Sequence, residues 1–174
     1  MEKIVESFEL YGKQYRFETG ELAKQASGAV LVTQGDTTCL VTAVISNQEK
    51  DYDFFPLTVD YMEKLYAVGR IPGGYLKREG KASNKGTLTA RMIDRPIRPM
   101  FAEGFKQEVH VVATTFVVDG ENQPDALCVA GASAALMLAD APFEGPVACV
   151  RVGRNPETGD FIVNPCLLYT SDAA

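Results

Sequence analysis

The sequence is poor in the residues on which metal and nucleophile chemistry most often depends. Its 174 residues include one histidine, no tryptophan and four cysteines. No two cysteines form a Cys-x-x-Cys pair, which argues against a zinc site and a disulfide framework. Cys39, Cys128 and Cys149 lie in apolar surroundings and are expected to be small core side chains. His110 sits in an apolar stretch and is likewise expected in the core, so no Ser–His–Asp or Cys–His arrangement can be argued.

Long apolar runs are also missing. No stretch approaches the roughly 18 residues that a membrane-spanning helix needs. Residues 1–6 alternate polar and apolar side chains, unlike the basic and apolar regions of a signal peptide. We therefore expect a cytoplasmic location and no membrane partner. Hydrophobic residues make up 46% and charged residues 23% of the chain, enough apolar surface for one packed domain.

Positive charge is scarce except in one segment. The net charge is −6, which by itself discourages a nucleic-acid interpretation. Residues 64–98, however, hold nine Lys/Arg and two acids, a local charge of +7. The remaining residues hold eight Lys/Arg and 21 acids, a charge of −13. Because a polyanion responds to the local field and less to net charge, an acidic body with one basic segment is compatible with nucleic-acid binding.

The pattern of β-prone and helix-prone runs predicts an α+β domain. Runs rich in Val, Ile, Thr and aromatic residues predict strands at residues 4–10, 14–18, 29–33, 38–45, 54–61, 108–118, 147–152 and 161–163. Helices are predicted at residues 87–95 and 122–139. A turn is predicted at residues 155–160, between the last two strands. These elements predict a mostly antiparallel sheet packed with two principal helices.

Both predicted helices carry recognisable signals at their ends. Thr87 can cap the first helix, and Pro96, which lacks an N–H, should end or kink it. Pro124 suits the first turn of the second helix. Gly131 lies inside that helix, where glycine costs about 1 kcal/mol relative to alanine, so we expect it to serve close packing.

The strongest functional pattern lies in residues 69–80 (GRIPGGYLKREG) and 91–99 (RMIDRPIRP). Aromatic and apolar side chains beside paired cations are what single-stranded nucleic-acid sites combine, since bases stack and phosphates need positive charge. Arg91 and Arg95 are four residues apart and share one helix face, and Arg98 could extend the row. A solvated cationic surface, or pairing with Asp94, is the ordinary alternative.

Other sites are weaker candidates. Asp51 with Asp53, or Asp119 with Glu121 and Asp125, could be considered as metal ligands, but loop acids are far commoner than metal sites. The glycine-rich stretches lack the Walker spacing of a nucleotide-binding loop.

Long stretches of the chain resemble the polynucleotide phosphorylase family. They are GELAKQASGAVLVTQGDTTCLVTAV, DFFPLTVDYMEKLYAVGRIPGGYLKREGKAS, TLTARMIDRPIRPMF and GASAALMLADAPFEGPVACVRVG, within about residues 4–165. The resemblance implies an RNase PH-like fold and a phosphorolytic 3′→5′ exoribonuclease. Inorganic phosphate would be the co-substrate, Mg²⁺ the metal and single-stranded RNA the substrate. It also implies a homotrimeric ring and RNA-degradation complex partners.

The resemblance also implies which residues bind RNA. In the family, an aromatic-aromatic-Arg-Arg loop lines the channel, and here its positions hold Tyr75, Leu76, Lys77 and Arg78. Leu76 and Lys77 depart from the pattern and should weaken stacking and bidentate phosphate contact. The arginines of the helix motif match those that contact RNA phosphates; they are Arg91, Arg95 and Arg98.

The resemblance further implies that this piece does not carry out phosphorolysis. The family's second repeat has a Ser-Ser pair ahead of its GAS-x-AL helix, where phosphate is held; here Pro124 and Asp125 stand in its place. The metal-binding acids of that repeat lie beyond this chain, so no catalytic or metal-binding residue is expected here. Residues 1–165 are interpreted as an incomplete first RNase PH-like domain and residues 166–174 as a non-native tail. Two alternatives remain: a non-catalytic RNA-binding or ring-forming subunit, and a single-domain exoribonuclease.

Overall fold

A computed structural model describes residues 2–49, 51–73, 79–155 and 157–165. Its strands are β1 (Ile4–Leu10), β2 (Lys13–Thr19), β3 (Gly28–Gln34), β4 (Thr37–Glu49), β5 (Leu57–Glu63), β6 (Gln107–Val117), β7 (Val152–Arg154) and β8 (Phe161–Val163). Its α-helices are α1 (Asn84–Ile97) and α2 (Pro124–Leu138). Single 3₁₀ turns form at Leu65–Val68 and Arg98–Met100.

Strands β1 to β6 form one sheet in the order β1-β2-β3-β4-β6-β5. All neighbours are antiparallel except β5 and β6, which are parallel. Parallel neighbours need a long crossover, and the segment from residue 64 to residue 106, which contains α1, supplies it. The predicted α+β class, with a mostly antiparallel sheet and two principal helices, is confirmed.

One face of the sheet packs on both helices and forms the core. Strand β3 alternates buried and partly exposed side chains along its whole length, as expected when only one face is covered. Val32, Val41 and Val111 are fully buried on that face. Helix α1 lies against β5, whereas α2 lies against β3 and β4. The opposite face of α1 therefore remains available for contacts outside the core.

Helix α2 approaches the sheet closely because glycine occupies two contact positions. A Cβ on Gly131 would lie 2.7 Å from Cγ2 of Val41. A Cβ on Gly28 would lie 2.1 Å from the backbone oxygen of Ala135. Both distances are shorter than carbon atoms tolerate, so the predicted packing role of Gly131 is confirmed.

Helix α1 is longer than predicted at both ends. Its N-cap is Ser83, whose Oγ accepts the N–H of Gly86 at 3.0 Å, and the expectation that Thr87 caps the helix is wrong. Thr87 lies inside the first turn. Pro96 is also inside the helix, which continues to Ile97, because Arg98 N–H still donates to the Asp94 carbonyl and proline removes only one bond.

Two predicted strands have different bounds. The strand predicted at residues 54–61 begins at Leu57, because Pro56 has no N–H to donate to a ladder. The strand predicted at residues 147–152 is wrong over most of its length, since only Val152 pairs, with Val163 of β8. The preceding segment runs beside α2 instead, where Val147 N–H donates to Ser133 Oγ at 2.8 Å. The turn at residues 155–160 is confirmed by the bond from Asn155 N–H to Asp160 O.

His110 is not a core residue, contrary to the sequence expectation. Its neighbours Val109 and Val111 are fully buried, so the two-residue period of a strand directs His110 to the uncovered face. There its Nε2 lies 2.8 Å from Oδ2 of Asp60. Cys39 and Cys128 are buried as predicted, and Cys149 is half-buried against the core. Within the part of the chain that the structure describes, no helix is long and apolar enough to cross a membrane.

Candidate nucleic-acid interface

The outer face of α1 carries two exposed arginines. The helix buries Gly86, Thr89, Ile93 and Ile97, which repeat at helical spacing and face the sheet. Arg91 and Arg95 are both exposed on the other side. Among the described residues, neither guanidinium has a hydrogen bond or an ion pair. Two unsatisfied guanidinium groups one helical turn apart can each offer a fork of N–H donors to an anion outside the domain.

Arg98 is engaged within the domain. Its Nε and Nη2 donate to the two carboxylate oxygens of Asp94 at 3.0 and 2.7 Å. Nη1 donates to the carbonyl of Phe55 at 3.2 Å, and Nη2 also donates to that of Leu57 at 3.0 Å. The guanidinium carbon lies 5.9 Å from the centre of the Phe55 ring. Since a guanidinium has five N–H groups, these bonds leave one for an external phosphate. Asp94 thus pairs with Arg98, whereas Arg91 and Arg95 stay open.

The glycine-rich loop before α1 is described only at its ends. Gly69, with φ of 68°, closes the 3₁₀ turn that starts the loop. At the other end, Oε1 of Glu79 accepts the N–H of Leu65 at 2.5 Å, and Lys64 Nζ donates to the Glu79 carbonyl at 3.2 Å. The two ends of the loop are therefore joined beside the first turn of α1. The predicted RNA contacts Tyr75, Leu76, Lys77 and Arg78 lie outside the described residues.

An aromatic cluster at the other end of α1 was missed by sequence reasoning. Phe55, Phe101, Phe105 and Phe143 pack together, with ring centres 4.6 to 5.8 Å apart. Beside them, the rings of Tyr52 and Phe54 stack with centres 5.3 Å apart and planes 21° apart. The signal was the DFFP run at residues 53–56, which was interpreted as the start of a strand. Five aromatic side chains within residues 52–105 thus line one cavity together with Arg98; they are Tyr52, Phe54, Phe55, Phe101 and Phe105.

The start of α2 is occupied by the protein's own carboxylate. Asp125, in the first turn, is buried; its Oδ1 accepts the N–H of Ala126 at 2.8 Å, and its Oδ2 forms an ion pair with Arg151. Pro124 ahead of it has no N–H. A phosphate at this helix N-terminus would be repelled by the buried carboxylate of Asp125. It could not use Arg151, because that guanidinium already pairs with Asp125. Pro124 and Asp125 stand out in the sequence, but no sequence pattern indicates Arg151 as the partner of Asp125.

The acids considered as metal ligands do not converge. The Asp119 carboxylate accepts the backbone N–H groups of Glu121 and Asn122 at 2.8 and 2.7 Å and the Asn122 side-chain amide at 2.7 Å. Burial raises the pKa of Asp119, but these hydrogen bonds outweigh it and lower the pKa to about 2. Asp51 lies 3.8 Å from Lys106 at the surface. Within the described ranges, no three His, Cys, Asp or Glu side chains are placed to hold a metal ion.

Comparisons of sequence identify close relatives. The chain is 56% identical over 164 residues to polyribonucleotide nucleotidyltransferase of Bacillus cytotoxicus, covering 94% of this chain and 23% of the relative. It is 54% identical over 166 residues to the enzyme of the same name from Listeria monocytogenes, covering 95% of this chain and 23% of the relative. The chain therefore spans about a quarter of the length of the relatives that it matches.

Comparisons of structure identify the same fold in distant proteins. Rice (Oryza sativa) Rrp46 superposes with a TM-score of 0.69 at 14% identity, covering 91% of this chain and 70% of that one. A chain of the Archaeoglobus fulgidus exosome, a structure with RNA bound to the active site, gives 0.58 at 18% identity, covering 95% of this chain and 66% of that one. A family model for domain 1 of the 3′ exoribonuclease family, RNase PH, matches residues 12–142. The chain belongs to this 3′ exoribonuclease family.

Proposed function

We propose that this chain is the RNA-binding first core domain of a cytoplasmic polyribonucleotide nucleotidyltransferase that degrades mRNA by phosphorolysis from the 3′ end. The observation that carries the proposal is the exposure of Arg91 and Arg95 on the outer face of α1, without a partner among the described residues. Buried polar side chains are normally satisfied within the fold, whereas an arginine that contacts phosphate must keep its N–H donors accessible from outside. The close relatives, which bear that enzyme's name at 54–56% identity, support the same assignment.

The chemistry is assigned to the remainder of the full-length protein. In phosphorolysis an oxygen of inorganic phosphate attacks the terminal phosphodiester, the bond to the preceding 3′ oxygen breaks, and a nucleoside diphosphate leaves. We infer that the start of α2 offers no phosphate site for that step, because Asp125 and Arg151 pair there. We assign the Mg²⁺ that supports the reaction, and its ligands, to residues beyond this chain.

Within the domain, we assign separate roles to the two groups of cations. Arg91 and Arg95 contact backbone phosphates, which fixes the path of the RNA but reads no sequence. Tyr75 and Leu76 contact bases, and Lys77 and Arg78 guide the backbone through the loop. Three copies of the full-length protein form a ring around the RNA, and other proteins of an RNA-degradation complex bind outside it.

The phosphate grip is tested by the salt dependence of RNA binding. Fluorescence anisotropy would measure the affinity of the chain for a 12-nucleotide oligo(A) between 25 and 200 mM salt. Replacing Arg91 and Arg95 together by alanine removes two phosphate contacts, so the slope of log affinity against log salt should fall by about 1.4. The matched control is the double variant Lys3→Ala/Arg16→Ala. It removes the same charge, but from side chains that pair with Glu18 near the opposite edge of the sheet.

Two results would contradict the proposal. The first is an unchanged slope in the Arg91→Ala/Arg95→Ala variant, and the second is an equal change in the control. The enzymatic part is tested on the full-length protein by phosphate-dependent release of ADP from poly(A). Absence of this release would favour the alternative that the open arginines belong to a non-catalytic RNA-binding or ring-forming subunit of an RNA-degrading complex.

A further inference from the structure

We propose that the stacked rings of Tyr52 and Phe54, called here the ring pair, form a platform on which a nucleobase of single-stranded RNA stacks. The inference deepens the proposed function, because it rests on RNA passing along α1. The rings are stacked with their centres 5.3 Å apart, and Phe54 is 67% exposed. A large aromatic ring is costly to leave in water, and one that is held flat by a second ring presents an ordered π surface.

The ring pair borders a cavity that suits a planar group. The cavity has a volume of about 250 Å³, and its apolar part is lined by the ring pair together with Phe55, Phe101 and Phe105. Pockets for drug-sized ligands are typically about 300–1,000 Å³, so this one is of a size for a single ring system and too small for a longer segment of RNA.

The charges around the cavity favour a base over a phosphate. Asp53 and Glu103 line it, and Lys106 lies 3.8 Å from the exposed carboxylate of Asp51. Arg98, which also lines it, already donates four hydrogen bonds within the domain. Because acids balance the cations here, a phosphate gains little. Binding of a neutral base does not depend on this charge balance, and the base can stack on the aromatic rings.

The position of the ring pair fits a strand that follows the arginine row. Arg91, Arg95 and Arg98 lie along one side of α1, and the span from Arg91 to Arg98 is about 10 Å at 1.5 Å per residue. Arg98 anchors the chain segment of the ring pair, because it binds the carbonyls of Phe55 and Leu57. A strand whose phosphates contact Arg91 and Arg95 and that continues past Arg98 would enter the cavity of the ring pair, because Arg98 lines that cavity. Phosphate contacts and base stacking thus alternate along one path, the combination used by sequence-tolerant single-strand binders.

The decisive experiment compares an RNA with bases and one without. Anisotropy would measure binding of the chain, as the wild type and as the Phe54→Ala variant, to a 12-nucleotide oligo(A) and to a 12-unit abasic ribose phosphate. Phe54→Ala should weaken oligo(A) binding by about five- to tenfold, the lower end of what one stacked base contributes. It should leave both the abasic affinity and the salt slope unchanged. Phe54→Tyr should restore binding, because it keeps the ring.

Phe161→Ala provides the matched control. Phe161 is 76% exposed on β8, away from the ring pair, so its loss removes the same kind of side chain without touching the platform. Unchanged oligo(A) affinity in Phe54→Ala, or an equal loss with the abasic strand, would overturn the inference. The proposed function fails separately, when the wild type shows no salt-dependent binding that needs Arg91 and Arg95. Circular dichroism of each variant checks that the fold is intact.

Discussion

The Glu79 carboxylate accepts a hydrogen bond from the backbone N–H of Leu65, with 2.5 Å between Oε1 and N. This bond joins the two ends of the segment that holds the predicted loop contacts. It also satisfies a backbone donor at the start of the 3₁₀ turn, which no residue of the turn itself could satisfy. Glu79 is one of two acids in the basic segment, and its negative charge is used to hold the segment in place.

Replacing Glu79 by alanine should loosen the loop without unfolding the domain. The carboxylate no longer accepts the Leu65 N–H, and a hydrogen bond to a charged group contributes about 1.5–3 kcal/mol. Limited digestion with trypsin should therefore cut faster after Lys77 or Arg78 in Glu79→Ala than in the wild type. Glu79→Gln keeps an acceptor oxygen but loses the charge, so its cleavage rate should lie between those of Glu79→Ala and the wild type. Equal cleavage rates in all three proteins would show that the bond does not hold the loop.

Arg98 should behave as a positioning residue and not as a phosphate contact. Arg98→Ala removes two bonds to Asp94 and two to backbone carbonyls, so it should lower the free energy of unfolding by about 1–3 kcal/mol. It should change the salt slope of RNA affinity far less than Arg91→Ala or Arg95→Ala, because the Arg98 charge is already paired with Asp94 and only one of its N–H groups is free. Urea denaturation and anisotropy measure the two quantities. A slope change as large as that of Arg91→Ala would make Arg98 a third phosphate contact.

Local patterns in the sequence were sufficient to predict most strands of the main sheet, the two helices and the shared helix face of Arg91 and Arg95. Arg91 and Arg95 follow from helical spacing alone, because residues four apart share a face wherever the helix packs. The role of Gly131 also follows from local rules, since glycine inside a helix needs a packing reason. Such features depend only on residues that are near in the sequence, so they can be predicted from a single sequence.

Features that depend on distant residues could not be predicted. Arg151 reaches Asp125 from 26 residues away, and Arg98 reaches Phe55 from 43 residues away. His110 was misplaced because an apolar stretch does not reveal which of its alternating positions face the core. The ring pair was hidden because aromatic runs are as typical of strands as of exposed platforms. Only the folded arrangement distinguishes these cases.

The close contact of α2 with the sheet predicts an order of destabilisation. Gly28→Ala should be the more damaging change, because its Cβ would lie 2.1 Å from the Ala135 backbone oxygen, which cannot move aside alone. Gly131→Ala meets Val41 Cγ2 at 2.7 Å, a side-chain atom that can shift. Overpacking lowers the free energy of unfolding by about 1–3 kcal/mol. In Gly131→Ala alone, the higher helix propensity of alanine offsets about 1 kcal/mol of that loss. Urea denaturation of the two variants would measure the loss in free energy of unfolding that each one causes. Gly73→Ala, which meets nothing within 4 Å, is the control, and equal stabilities would refute the packing argument.

Asp119 should make the stability of the domain depend on pH below about 4. Its folded pKa of about 2 lies below the ordinary value of 3.8, so the charged form is favoured by folding. The stabilisation is therefore complete above pH 4 and is lost as the pH falls towards 2. The difference in free energy of unfolding between the wild type and Asp119→Ala should shrink over this range. Asp51→Ala, at a fully exposed acid, is the control and should show no such change. The difference in free energy of unfolding between the wild type and Asp119→Ala could instead be equal at pH 6 and pH 2.5. That result would show that the hydrogen bonds do not favour the ionised form of Asp119.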